Sequence, residues 1–283
     1  MASKSKKSSR KPEMPERDEY LLGHSATEEE RLRRQSEELA PDSRRLLDQL
    51  NLLPGSSAID IGCGPMGILD LLSDRVGAKG RVVGLDRSEA TVRLARKLVV
   101  ERHLTNVEVL MGNAKATGLP RASFDLVHAR LVLVNVPEPE RVVEEMVALA
   151  RPGGIVASHE ADWIGWLCDP PSRAWDRLIE VIDAYSRANG IDLFVGRKTH
   201  RMLRSAGLVD VQVNPVMHVF PRGHPRRMTL WNFMQNVRDR IVARGLTSEA
   251  EFNCLATDLE RQLGDPDTLV FNLYFEAWGR KPE

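Results

Sequence analysis

The chain has 283 residues, 42% hydrophobic and 28% charged, with 40 basic against 40 acidic side chains and a formal net charge of zero. That length can bury a full core as one α/β domain with additions, and the balanced charge argues against a protein held on nucleic acid or an anionic membrane by bulk electrostatics. Cys63, Cys168 and Cys254 are widely spaced and odd in number, which suggests neither a disulfide framework nor a zinc site and fits a reducing, cytoplasmic setting.

Residues 1–16 open with a Ser-, Lys- and Arg-rich run that lacks the apolar core of a signal peptide, and they are expected to form a disordered basic tail. Residues 17–283 read as one domain. Thr27-Glu28-Glu29-Glu30-Arg31-Leu32 signals a helix, with a capping hydroxyl and acids in its first turn.

Ala58-Ile59-Asp60-Ile61-Gly62-Cys63-Gly64-Pro65-Met66-Gly67 is a buried strand entering a glycine turn. Such a turn lets backbone N–H groups approach a ligand, and the helix beyond it adds its positive end. Gly62, Gly64 and Gly67 satisfy the dinucleotide spacing, with Asp86 roughly 20 residues on to accept ribose hydroxyls. A carboxylate at Asp60 would repel a pyrophosphate, however, and would welcome a cationic amino group.

This D-I-G-C-G-P stretch resembles the first motif of the class I S-adenosylmethionine (SAM)-dependent methyltransferases, in the UbiE-like small-molecule branch, with Met66 at the third glycine position of the usual pattern. The resemblance implies a Rossmann-like, seven-stranded, mostly parallel sheet with an antiparallel last strand and a helical cap. It also implies SAM as cofactor, with the turn around Cys63 as part of its site and Arg87 beside the ribose. Tyr20-Leu21-Leu22-Gly23, followed by Gln35, is similar to a segment that closes over SAM in relatives, so Tyr20 would contact the cofactor; Gln35 either joins it or is an ordinary helix residue.

Downstream the α/β alternation is regular. Helix 68–75 stops at Gly77, strand 81–85 ends at Asp86, and Ser88 caps helix 89–100. Strands follow at 107–111, 124–128 and 155–159, with an apolar helical face at Val142, Val143, Met146, Val147 and Ala150. Ligands in such sheets bind beyond the carboxyl ends of the strands. After the third strand, Gly112-Asn113-Ala114 is where the resemblance places adenine, with the Asn113 amide and the Ala114 N–H as partners; a backbone-capping turn is the alternative for Asn113. After the fourth, Ala129 would offer backbone contact. Arg130 would reach the methionine carboxylate or form a structural ion pair, and Asn135 occupies a position where relatives carry His or Asn.

Asp169-Pro170-Pro171-Ser172 resembles the D-P-P-aromatic signature of base-modifying methyltransferases, but it follows the fifth strand and ends in Ser. It reads as a turn into helix 173–189. Cap insertions are expected at about 163–195 and 222–266, with Ser248 and Glu251 forming a capping box in the second. Trp163, Trp166, Trp231 and Phe233 would line an aromatic substrate pocket, with Asp162 beside it as a lid anchor. Glu160 and His159 end the fifth strand, and Glu160 is the preferred general base; strand alternation sends the two to opposite faces.

The expected activity is methyl transfer from SAM to a small-molecule acceptor, aromatic or apolar, with neither metal, nucleic acid nor membrane as a partner and a homo-oligomer left open. The alternatives are an NAD(P)-binding oxidoreductase, a methyltransferase acting on protein or RNA, and a SAM-binding protein without catalysis. None of Tyr20, Tyr185 and Tyr274 has a Lys four residues later, which counts against a short-chain oxidoreductase.

Overall fold

The run Ala58–Ile61 can be apolar throughout because parallel strands flank it and helices cover both faces. In the computed structural model, which describes residues 26–283, β1 (Ser57–Ile61) lies between β2 (Arg81–Asp86) and β4 (Phe124–Arg130), parallel to both. The basic tail and Tyr20 lie outside the described residues. With β3 (Val107–Met111), β5 (Ala150–Asp169), β6 (Val209–Phe220) and β7 (Leu269–Arg280), the sheet has the order β3-β2-β1-β4-β5-β7-β6. β7 alone runs opposite to the other strands, antiparallel to both β5 and the edge strand β6 between which it sits. The order reverses between β1 and β4, so the crevice for a ligand opens at their carboxyl ends.

Strand alternation divides the core into two layers. Ala58, Val82, Leu126 and Ala157 pack with Leu46, Leu47 and Leu50 of α2 (Ala40–Leu50), Leu69 and Leu72 of α3 (Leu69–Val76), and Val92 and Ala95 of α4 (Glu89–Glu101). Ile59, Ile61, Val83 and Val127 face the other way, toward Val142, Val143 and Met146 of α5 (Pro139–Leu149). Each such fully buried side chain contributes about 1.5–3 kcal/mol. The same layer takes in α6 (Arg173–Arg187), α7 (Thr199–Ser205), α8 (Thr229–Ala243) and α9 (Glu249–Gly264), while α1 (Ala26–Glu38) precedes α2.

Local chemistry sets the helix ends. Ser88, Ser172 and Ser248 each accept a hydrogen bond from the N–H three residues on, capping α4, α6 and α9. Glu251 does not complete the capping box; its carboxylate takes Arg177 and the Thr247 hydroxyl instead. α1 is described from Ala26, the first described residue, and includes Thr27.

β5 departs most from expectation. It runs on to Asp169, because β7 pairs with it as far as Leu269, across an irregularity between Asp162 and Leu167. Trp163 and Trp166 are therefore strand residues, and the first helical insertion starts after Asp169 rather than near residue 163. No helix among the described residues is long and apolar enough to cross a membrane.

Candidate active site

The chain turns sharply out of β1. Gly62, Gly64 and Gly67 all have left-handed backbones, with φ of 67°, 55° and 51°, where a side chain is strained. A Cβ on Gly62 would lie 2.5 Å from Val132 Cγ2, and one on Gly67 2.1 Å from Asp60 Oδ2, whereas a Cβ on Gly64 would meet nothing within 4 Å. Packing forbids side chains at the first and third glycines, and the middle one leaves an open face. Asp60 braces the turn: Oδ2 accepts from Ile68 N at 3.1 Å, and Oδ1 lies 2.7 Å from His128 Nδ1. The register Asp60↔His128 on adjacent strands brings that buried pair together.

At the end of β2, Asp86 accepts from Gly64 N and Ser88 N, each at 3.0 Å. A cavity of about 250 Å³ opens over these groups, lined by Asp60, Gly62, Cys63, Gly64, Asp86, Arg87, Gly112, Asn113 and Ala114. Its volume is several times that of one water, about 30 Å³, so it is a site for a ligand. Asn113 Oδ1 accepts from Lys115 N, the capping-turn geometry, while the residue still lines the cavity. Burial, with the charges of Asp86 and Asp60, pushes the Cys63 thiol well above its ordinary pKa, so it is no nucleophile here. Leu32, Gln35 and Ser36 of α1 close the cavity from the other side.

Arg130 lines the middle of the cavity. It donates to Ser43 Oγ at 2.9 Å, Ser36 Oγ at 2.8 Å and Gly67 O at 3.0 Å. Three of its five N–H groups are thus used in joining α1, α2 and the glycine turn, and two have no partner among the described residues. Ala129, by contrast, is fully buried between Ile61 and Ser158 and does not line the cavity; Arg130, Leu131 and Val132 do so instead.

Beyond Arg130 the backbone reverses at Leu131, a non-glycine residue with φ of 56°, a conformation costing on the order of 1–3 kcal/mol. Glu160 offsets that cost. Its Oε1 accepts from Val132 N and Leu133 N at 3.1 Å each and from Ser158 Oγ at 3.3 Å, and its Oε2 accepts from Val134 N at 3.2 Å. Burial raises this carboxyl from 4.5 to about 7, against the three amides, which lower it.

Glu160 is fully buried and absent from the cavity lining, so its position does not meet the expectation of a general base. It is a positioning residue for the loop that carries Asn135, whose Nδ2 donates to Leu131 O and which does line the cavity. His159 is likewise buried outside the lining, edge-on to Tyr274 with ring centroids 5.4 Å apart. Desolvation first, then the Arg130 charge, pulls its pKa well below the ordinary imidazole value.

The far end of the cavity is aromatic. Trp163 packs edge-to-face on Trp166 at 4.1 Å and on Phe233 at 5.9 Å, and all three line the space. Trp231 packs into the core and does not reach it. Asp162 also turns away: both its oxygens hold the Arg197 guanidinium, at 2.8 and 2.6 Å, as an anchor for the turn at Gly196–Lys198 rather than as a pocket wall. Sequence reasoning missed Asn272, Tyr274, Arg226 and Thr229, which complete this end. The alternation Asn272, Tyr274 and the arginine pair Arg226-Arg227 were the available signals. No cluster of metal-ligating side chains occurs among the described residues.

An α/β sheet with its cavity at the switch point, an open glycine turn beneath it and a carboxylate closing the second strand is a Rossmann-like protein built for a nucleoside-bearing ligand. Residues 52–207 match the family model described as a methyltransferase domain, and the chain belongs to that family, in its UbiE-like branch. It is 31% identical over 182 residues to demethylmenaquinone methyltransferase of Geobacillus stearothermophilus, covering 60% of this chain and 78% of that protein. It is 36% identical over 204 residues to an uncharacterized 37.1 kDa protein in transposon TN4556 of Streptomyces fradiae, covering 71% of this chain and 56% of that one. Phosphoethanolamine N-methyltransferase 2 of Haemonchus contortus, solved with S-adenosyl-L-methionine, superposes with a TM-score of 0.55 at 17% identity, covering 86% of this chain and 53% of that one. The chain thus spans little more than half the length of the last two proteins.

Proposed function

We propose that this protein transfers the methyl group of SAM to a small, largely apolar acceptor. One observation carries the reading: a single cavity joins the glycine turn, Asp86 and Asn113 at one end to Trp163, Trp166 and Phe233 at the other, with Arg130 between them. The open face at Gly64 and the acidic end of β2 fit a nucleoside, and the carboxylate of Asp60 suits a cationic amino group better than a pyrophosphate.

In this reading Asp86 receives the ribose hydroxyls, Asn113 and Ala114 the adenine edge, Asp60 the amino group, and the two spare N–H groups of Arg130 the carboxylate. When bound, SAM would supply an electrophilic sulfonium methyl carbon for transfer to the acceptor's nucleophile, with S-adenosylhomocysteine as the leaving group. The chain's part is to align the acceptor, exclude water and hold the loop at Val132–Val134 in place through Glu160. With Glu160 and His159 outside the lining, catalysis rests on proximity and orientation rather than on a side-chain base at either position.

Calorimetry with SAM, S-adenosylhomocysteine, NADH and NADPH tests the cofactor. The first two should bind and the last two should not; binding of a nicotinamide cofactor in their place would overturn the assignment. Transfer of labelled methyl from SAM into a small-molecule extract, with none into protein or RNA fractions, tests the acceptor class.

A further inference from the structure

The aromatic end of the cavity holds buried donors that no described residue pairs with. Arg226 is 7% exposed and lines the cavity, yet its Nη1 has no hydrogen-bond partner among the described residues. Its other edge is engaged: Nη2 donates to the Tyr274 hydroxyl, and Nε lies 3.6 Å from Glu38 Oε2, beyond hydrogen-bond reach. The guanidinium is fixed between Phe220 and Tyr274, its carbon 5.3 Å from each ring centroid. A planar cation held this firmly with one nitrogen bare is preorganised for an oxygen it does not yet have.

Three neighbours repeat the pattern. The Tyr274 hydroxyl accepts from Arg226, and its own proton has no acceptor among the described residues. Asn272, two residues away on the same face of β7, makes no side-chain hydrogen bond to a described residue. Trp166 lines the same cavity, and its buried Nε1 has no partner among the described residues. Glu38, the ion-pair partner of Arg226, is not among the lining residues, so no described carboxylate reaches the guanidinium from the cavity side. Buried donors are left unmade at a cost, and an oxygen-bearing ligand removes that cost.

We propose that the acceptor is an acid, a flat apolar molecule whose carboxylate or other anionic oxygen is bound by Arg226 together with Tyr274 and Asn272, while its body lies against Trp163, Trp166 and Phe233. The inference rests on the methyltransferase reading and adds the acceptor's charge to it. Burial raises the Tyr274 pKa, which keeps the phenol a donor. An acceptor that enters as an anion also needs no base from the protein if the same oxygen is methylated.

The test uses the full chain saturated with S-adenosylhomocysteine and titrated calorimetrically with benzoate, 2-naphthoate and anthracene-2-carboxylate, each against its neutral primary amide. At least one acid should bind tenfold or more tighter than its amide, a preference in keeping with a charge-assisted hydrogen bond. Arg226→Gln should reduce that preference below threefold with S-adenosylhomocysteine affinity kept within twofold, and Arg226→Lys should retain part of it. If no acid outbinds its amide, or none binds at all, the proposal is overturned, as it is if the preference survives in Arg226→Gln. Should Arg226→Gln also lose S-adenosylhomocysteine, as a misfolded chain would, Tyr274→Phe and Asn272→Leu decide in its place: a weakened preference supports the anion site and an unchanged one overturns it. Failure of the wild-type chain to bind S-adenosylhomocysteine would count against the cofactor reading instead.

Discussion

Replacing Glu160 by Gln puts an amide where nearly every neighbour is a donor. The carboxyl meets Val132 N, Leu133 N and Ser158 Oγ at Oε1 and Val134 N at Oε2. With the amide oxygen at Oε1, the new NH₂ group faces the Val134 N–H and neither finds an acceptor, whereas the hydroxyl oxygen of a protonated Glu160 still accepts. The loss is about 1–3 kcal/mol at pH 5, a fall in Tm of about 3–10 °C for a domain of this size.

The same exchange changes the pH dependence. Because burial raises Glu160 to about 7 from 4.5, the folded protein keeps a proton that the unfolded chain releases. The native state binds more protons throughout that interval, and wild-type stability falls as pH rises through it, by up to about 3 kcal/mol. The Gln variant lacks this slope, so the gap between the two proteins narrows toward pH 8. Urea unfolding followed by circular dichroism at pH 5, 6, 7 and 8 measures both effects, and parallel pH curves would refute the buried-carboxyl account. Turnover of the folded variant should drop less than about tenfold with an unshifted pH–rate profile; a loss of a hundredfold or more would restore Glu160 as a base.

Asp86→Ala should weaken S-adenosylhomocysteine binding about ten- to hundredfold by calorimetry, and unchanged affinity would move the ribose elsewhere. Asp162→Asn should cost about 2–3 kcal/mol in denaturant unfolding by disrupting the fully buried carboxylate's pairing with Arg197, with cofactor affinity near wild type; a drop in that affinity instead would return Asp162 to the pocket. Gly67→Ala forces a Cβ to within 2.1 Å of Asp60 Oδ2 at a φ of 51°, so thermal stability should fall and S-adenosylhomocysteine affinity should drop at least about tenfold. A variant that binds like wild type would mean that Asp60 can move without consequence.

The first four strands were legible because each is a short apolar run, the first three closed by a Gly, Asp or Asn signal. Which residues line the glycine-turn end of the cavity followed from those strand ends, with Ala129 the exception: one step before Arg130, it faces the core rather than the cavity. Alternation correctly separated His159 from Glu160, yet it carries no information on what covers a strand end; the loop after Leu131 folds over Glu160 and takes its oxygens. The length of β5 was illegible because β7, over a hundred residues later, supplies its partners. For the same reason nothing local marks Tyr274 and Asn272 as residues of a site. The contact of Tyr274 with Arg226 depends on a strand order that local sequence does not encode.

Because β7 is inserted between β5 and β6, ribosomal synthesis leaves β6 waiting. Among the described residues β6 has no sheet neighbour except β7, and the helices α8 and α9 must be made before that neighbour emerges. The strands from β1 to β5 already pair with one another in parallel, so the Gly62–Asp86–Asn113 end can assemble while the nascent chain is still growing. During that interval Val213, Met217 and Val219, which stay 40–50% exposed even in the finished sheet, sit on a strand whose backbone groups lack their ladder. The vulnerable moment in this protein's biosynthesis is therefore the passage of roughly fifty residues from β6 to β7, and aggregation or chaperone capture should concentrate on chains halted there.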